Sequence, residues 1–154
     1  MNKRVYFDAG HDLKKDPGAV KYVREAVQNV KVVNFAVEYI TKHFEVDVFK
    51  DVTADSTSEI ASKANKWKAD LFVSVHFNAG GGDGFEALVY SSKEKSLGVC
   101  FEKYVKKTGQ NSRGVKYRPE LNVLRLTNMK AVLCEIAFVD NKKDISDWDV
   151  VAEL

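Results

Sequence analysis

Proline and cysteine are almost missing from this sequence, with 2 of each in 154 residues. Cys100 and Cys134 show no C-x-x-C spacing, so neither a cysteine zinc site nor a disulfide framework is suggested and both are expected as reduced core residues. With only 9 glycines besides, the chain holds too few breakers for disordered or collagen-like material. An excess of one charge is also lacking. The 24 Lys and Arg against 22 Asp and Glu leave a formal net charge of +2, too little to imply a nucleic-acid partner. No apolar run nears the roughly 18 residues of a membrane helix, so no membrane span is expected. No G-x-G-x-x-G or Walker sequence follows the first strand candidate, which removes the nucleotide-binding reading of an α/β chain. Met1 leads almost at once into Arg4-Val5-Tyr6-Phe7 instead of the apolar stretch of a secretion signal, and the chain as written is expected to begin in the cytoplasm.

What is present is globular material, 45% hydrophobic and 30% charged, at a length that suits one compact core. Strand signals lie at Val5 to Phe7, Val46 to Phe49, Leu71 to His76, Phe85 to Tyr90 and Ala131 to Val139, with Val123 to Leu126 as a shorter strand candidate. Val23, Val27, Val30, Asn34, Val37 and Ile40 recur at helical spacing and predict a long amphipathic helix from about Val20 to His43. Ser56 to Trp67 and Ser96 to Lys107 read as two more helices, and a last one begins at Lys142 and runs through Ile145, Trp148, Val151 and Leu154. Strands that alternate with helices predict a single-domain α/β fold, a mostly parallel twisted sheet of about six strands flanked by helices on both faces. Gly80-Gly81-Gly82-Asp83-Gly84 reads as a flexible turn, and the strand after it is expected to run antiparallel to its neighbour.

In such a sheet, ligands bind beyond the carboxyl ends of the parallel strands. The polar residues placed there are Asp8-Ala9-Gly10-His11 after the first strand, His76-Phe77-Asn78 at the end of the third and Glu135 in the last, while Glu25 lies in the first turns of the long helix. Two imidazoles and a carboxylate form the ligand set of a catalytic zinc site with a fourth position open to water, and a second carboxylate then remains as general base. Blander accounts exist for two of these residues: His76 as a satisfied histidine at a strand end, and Glu25 as a solvated residue near a favourable helix N-terminus. Glu135 resists such an account, because it interrupts the apolar run from Ala131 to Phe138, where a carboxylate must be paired, hydrogen-bonded or functional. His43 at the end of the long helix suits the helix dipole better than a metal. Trp67, Trp148, Tyr104 and Tyr117 are expected to pack in the core or on its rim, with sugar stacking as the alternative.

Several segments fall in a telling order: Asp8-Ala9-Gly10-His11 with Asp16-Pro17-Gly18-Ala19; Arg24-Glu25-Ala26; Ala64-Asn65 with Ala69 to Ala79; Gly84-Phe85-Glu86; Arg113-Gly114-Val115-Lys116; Val123-Leu124; and Ala131 to Asn141. Together they resemble the zinc-dependent N-acetylmuramoyl-L-alanine amidases of bacterial autolysins and phage endolysins, over nearly the whole chain. Two departures stand out. That family usually carries an Arg between the second strand and Ala64-Asn65, where this chain has Asp51 to Asp55 and Glu59 to Lys63, so a substrate contact from that Arg is not carried over. A Pro commonly precedes the last strand, where this chain has Lys130.

The resemblance implies one zinc ion per chain held by His11, Glu25 and His76, a water nucleophile, and Glu135 as the group that accepts the water proton and returns it to the leaving amine of L-alanine. It makes peptidoglycan the partner. Asn78 is a candidate for a hydrogen bond to substrate or for a turn role. The alternatives are a zinc peptidase acting on the peptidoglycan stem peptide and an inactive cell-wall-binding module, against which a base at Glu135 argues. The last helical pattern stops soon after it starts, and the expectation is a catalytic domain cut from a longer protein with a C-terminal wall-binding module. As a phage endolysin it would wait in the cytoplasm until release and then act on the cell wall. Nothing in the sequence sets an oligomeric state.

Overall fold

The computed structural model describes residues 2–53 and 55–151. Six strands, β1 (Lys3–Ala9), β2 (Val46–Asp51), β3 (Leu71–Asn78), β4 (Phe85–Val89), β5 (Ser112–Tyr117) and β6 (Lys130–Phe138), form one sheet in the order β2-β1-β3-β6-β4-β5. Every neighbouring pair is parallel except β4 with β6, the strand that follows the glycine-rich turn. The helices are α1 (Glu25–His43), α2 (Thr57–Lys66), α3 (Lys95–Lys107), α4 (Asn122–Arg125) and α5 (Lys142–Val151). Among the described residues no helix is long and apolar enough to cross a membrane.

Alternation along the strands divides the core in two. Phe7, Ala9, Val73, Val75, Val132 and Cys134 pack on one face with Val33 of α1 and the partly buried Val30, Val37 and Ile40, and with Leu97 and Phe101 of α3. Tyr6, Phe72, Leu88, Ala131 and Leu133 point to the other face, where Ile60 and Ala64 of α2 and Val123 and Leu124 of α4 cover them. Because α4 is a single turn, this second face opens beyond it into a cavity over β4 and β5.

Local chemistry sets the helix ends. Ser56 and Glu59 close a reciprocal capping box, Glu59 N–H to Ser56 Oγ at 3.3 Å and Ser56 N–H to Glu59 Oε2 at 2.9 Å, so α2 starts where the sequence places it. The first helix begins at Glu25 and not near Val20. Residues before it close a small loop in which Glu25 N–H donates to Ala19 O at 2.9 Å and Val20 bridges Arg24, leaving Arg24 extended and Glu25 as the first helical residue. His43 ends the helix with Nδ1 2.7 Å from Tyr39 O, in keeping with a helix-end role.

Other expectations are corrected. Val123 to Leu126 is not a strand: Asn122–Arg125 is helical, because its two adjacent apolar residues both turn onto α2 and the sheet. Edge strand β5 has no counterpart among the strand signals of the sequence. Cys100 is exposed on α3, whose packed stripe is Leu97, Phe101 and Val105, whereas Cys134 is buried as expected. Trp67 packs as core rim against Tyr6 and Phe49. Leu154 lies outside the described residues, as do the side chains of Trp148 and Val151.

Candidate active site

His11 directly follows the turn after β1, His76 lies near the end of β3, and Glu25 opens α1, so two strand ends and one helix start bring the three side chains together. Glu25 Oε1 lies 3.0 Å from His76 Nδ1 and 3.3 Å from His11 Nε2. Donor atoms of the three all fall within 4.8 Å of one another. Glu25 Oε2 accepts the Ala19 N–H at 2.8 Å.

A second set of residues holds the first in place. Asp16 Oδ2 lies 2.8 Å from His11 Nδ1, which leaves His11 Nε2 for the centre. His11 itself has φ 63°, a left-handed conformation that costs a non-glycine residue roughly 1–2 kcal/mol. At Gly10 a Cβ would overlap the His76 ring, so glycine there lets the imidazole rest on the backbone. Fully buried Asn29 of α1 donates Nδ2–H to Gly10 O at 2.7 Å and ties the helix to this turn.

Burial would raise the Glu25 carboxyl, but hydrogen bonds from His11, His76 and the Ala19 N–H outweigh it and hold the group well below the usual carboxylate range. The same bond to Glu25, opposed by burial and aided by Asp16, lifts His11 to about 9. In the protein without metal, His11 and Glu25 therefore share a proton. A divalent cation would take the place of that proton, and two imidazole nitrogens with one carboxylate oxygen are a donor set that suits zinc. Asp16→Asn is expected to weaken metal binding roughly 10- to 100-fold in a titration against a competing chelator. Unchanged affinity would remove the orienting role of Asp16.

Glu135 stands beside His76 in the parallel β3–β6 register and beside Glu86 in the antiparallel β4–β6 register. Residues paired across strands share a face, so His76, Glu135 and Glu86 form a row across the sheet. Just beyond Glu135 an extra residue in β6 shifts the pairing with β3, a bulge at the site itself. Glu135 Oε2 is buried with no hydrogen-bond partner among the described residues, and burial pushes the carboxyl up to about 7. Glu86, also buried, would be raised by its burial too, but bonds from Lys116 Nζ (2.6 Å) and Arg113 Nε (2.9 Å) hold it below the usual carboxylate range.

A cavity of about 620 Å³ extends from His76 and Glu135 over β4 and β5. Its rim includes the glycine turn, which is pinned from beyond β6. Asp140 Oδ2 accepts Gly80 N–H and Gly81 N–H at 2.9 and 2.8 Å, Asp144 Oδ2 accepts Gly84 N–H at 2.9 Å, and Asn141 Nδ2 donates to Gly82 O at 2.9 Å. Asn78 lines the same cavity, with its Oδ1 accepting Ala79 N–H at 2.9 Å in a turn role. Asp16, Asn29, Glu86, Arg113 and Lys116 also belong to the site, beyond the residues expected from sequence. Asn29, a polar residue among the valines of α1, carried the one local signal.

Two imidazoles and a carboxylate opening onto a cavity, beside a second carboxyl that titrates near neutrality, are the residues that metal-assisted hydrolases use. The chain belongs to the N-acetylmuramoyl-L-alanine amidase family, whose profile matches residues 5–148. It is 40% identical to the endolysin of Bacillus phage SPP1 over 94% of its own length, and 32% identical to the N-acetylmuramoyl-L-alanine amidase CwlM of Bacillus licheniformis over 92%. It spans 58% of the length of each of these relatives. Its fold matches the catalytic domain of the amidase CwlV from Bacillus (Paenibacillus) polymyxa var. colistinus with a TM-score of 0.85 and 29% identity, over 98% of this chain and 92% of that one.

Proposed function

We propose that this chain is a zinc-dependent N-acetylmuramoyl-L-alanine amidase domain, which hydrolyses the amide between N-acetylmuramic acid and L-alanine in peptidoglycan. The observation that carries this reading is the unpaired carboxyl of Glu135, one strand away from His76 in the same cavity. His11, Glu25 and His76 would hold the zinc ion, which when bound lowers the pKa of water from about 15.7 to about 7 and polarises the scissile carbonyl. Glu135 has an oxygen free of protein partners and a proton affinity kept near neutral by burial. It takes the proton of the attacking water and delivers it to the nitrogen of the departing L-alanine, leaving a lactyl carboxylate and a free amine. Asp16 holds the His11 ring, and the backbone at Gly10 leaves room for His76. The side-chain amide of Asn78, at the cavity wall, is available to a substrate oxygen.

In this reading the domain acts on the cell wall alongside a wall-binding module in a longer protein, with which the greater length of its relatives is compatible. Incubation with purified Gram-positive walls tests it. New L-alanine amino termini should be released, vanish with a chelator and return with zinc. Other new amino termini would favour the stem-peptide peptidase, and wall binding without any new amine would favour the inactive module.

A further inference from the structure

Two cavities meet at His76, and only the larger has Arg or Lys among its described lining residues. The smaller, about 220 Å³, is lined by Asp8, Asp16 and Asp55 together with His11. The larger is lined by Arg113, Lys116 and Arg118, with Glu86, Glu120 and Glu135. Lys116 contacts both Glu86 oxygens, at 2.6 and 3.0 Å, so the buried carboxylate already has a counter-ion without Arg113.

Arg113 gives Glu86 only its Nε. Among the described residues its two Nη groups make no hydrogen bond, while Phe138 supports the guanidinium, whose carbon lies 5.2 Å from the ring centre. The outer edge of a guanidinium is the one that grips a carboxylate at two points.

The strand is bent to achieve this. Arg113 and Lys116 are three residues apart, and a regular strand would send them to opposite faces. Between Phe85 and Ala87 the register of β4 with β5 slips by one residue, and Gly114 there takes φ 86°, which only glycine adopts freely. Both cations thereby reach the face that carries Glu86 and Glu135.

Resting on the amidase reading above, we propose that the larger cavity takes the peptide side of the scissile amide and that the Nη groups of Arg113 bind a carboxylate of that peptide. An L-alanine inside the stem has no free carboxyl, so the first position at which the peptide can present a carboxylate to Arg113 is the residue that follows it. The smaller cavity on the other side of His76 has no guanidinium among its described lining residues to grip such a group, while its carboxyl oxygens can accept hydrogen bonds from the hydroxyls of a neutral sugar. The substrate is thus oriented by Arg113, peptide toward β5 and glycan toward α2.

The test uses two muramoyl-L-alanyl peptides that differ only at the second residue, one with a free α-carboxyl and one with its carboxamide. The zinc-loaded protein should cleave the acid with a kcat/KM roughly 10- to 100-fold above that for the amide. In Arg113→Gln this ratio should collapse towards one, and in Arg113→Lys, which keeps a cation for Glu86 without the fork, it should fall part of the way. Equal cleavage of both substrates by the unaltered protein, or an Arg113→Gln variant that slows both alike, would overturn the carboxylate assignment and leave the amidase reading standing. Failure of the unaltered protein to cleave either substrate would overturn both.

Discussion

Glu135→Gln is expected to lower wall hydrolysis by roughly 10²- to 10⁴-fold and, in the metal-free protein, to raise stability. The second effect follows from burial, which moves this carboxyl from its ordinary value of 4.5 to about 7. A carboxyl raised on folding favours the folded state only while it is protonated. Stability is therefore undiminished below about 4.5 and falls as pH rises from there to about 7, beyond which the cost is complete. That difference corresponds to at most about 3 kcal/mol, and the partial exposure of Glu135 brings it nearer 1–2 kcal/mol. Glutamine stays neutral and escapes the cost. Thermal unfolding in chelator should show the variant gaining over the unaltered protein at pH 8 and not at pH 5. Equal melting of the two proteins at both pH values would mean that Glu135 is solvated where it stands, and the case for it as a proton carrier near neutrality would go with it.

Glu25→Ala should do the opposite to stability. It strips the Ala19 N–H of its acceptor and leaves the imidazole of His11, charged up to about 9, with Asp16 but without the Glu25 carboxylate. A loss of order 2–3 kcal/mol is expected in the metal-free protein, together with loss of bound zinc after dialysis. Glu25→Gln keeps an oxygen for the Ala19 N–H and should recover much of the stability but not the zinc. Elemental analysis and thermal melts read the two effects separately, and full zinc content in either variant would show that Glu25 is not a ligand.

The parts of this molecule that speak in sequence are those whose signal is local. The β-branched runs of β1, β3 and β6 mark buried parallel strands, Ser56 and Glu59 mark a helix start, and a glutamate inside the apolar run of β6 marks a site. The segment at β5 was silent because it is a charged edge strand with a glycine in the middle, and its alternation is broken by the same bulge that aligns Arg113 with Lys116. The four residues of α4 were misread because a short apolar run has no period of its own, and only α2 decides which way it turns. The contacts of His11, Glu25 and His76 join residues from distant parts of the chain, and no local pattern encodes their distances.

The glycine turn that rims the large cavity draws its rigidity from elsewhere. Four glycines in five residues would sample many backbone states, and what restricts them are side chains from Asp140 to Asp144, past the end of the sheet. The unit that shapes the cavity is thus not coextensive with the strands. A chain cut straight after β6 would keep the sheet and the His11, Glu25 and His76 cluster yet free the lip of the cavity, so the cavity depends on residues as far along as Asp144.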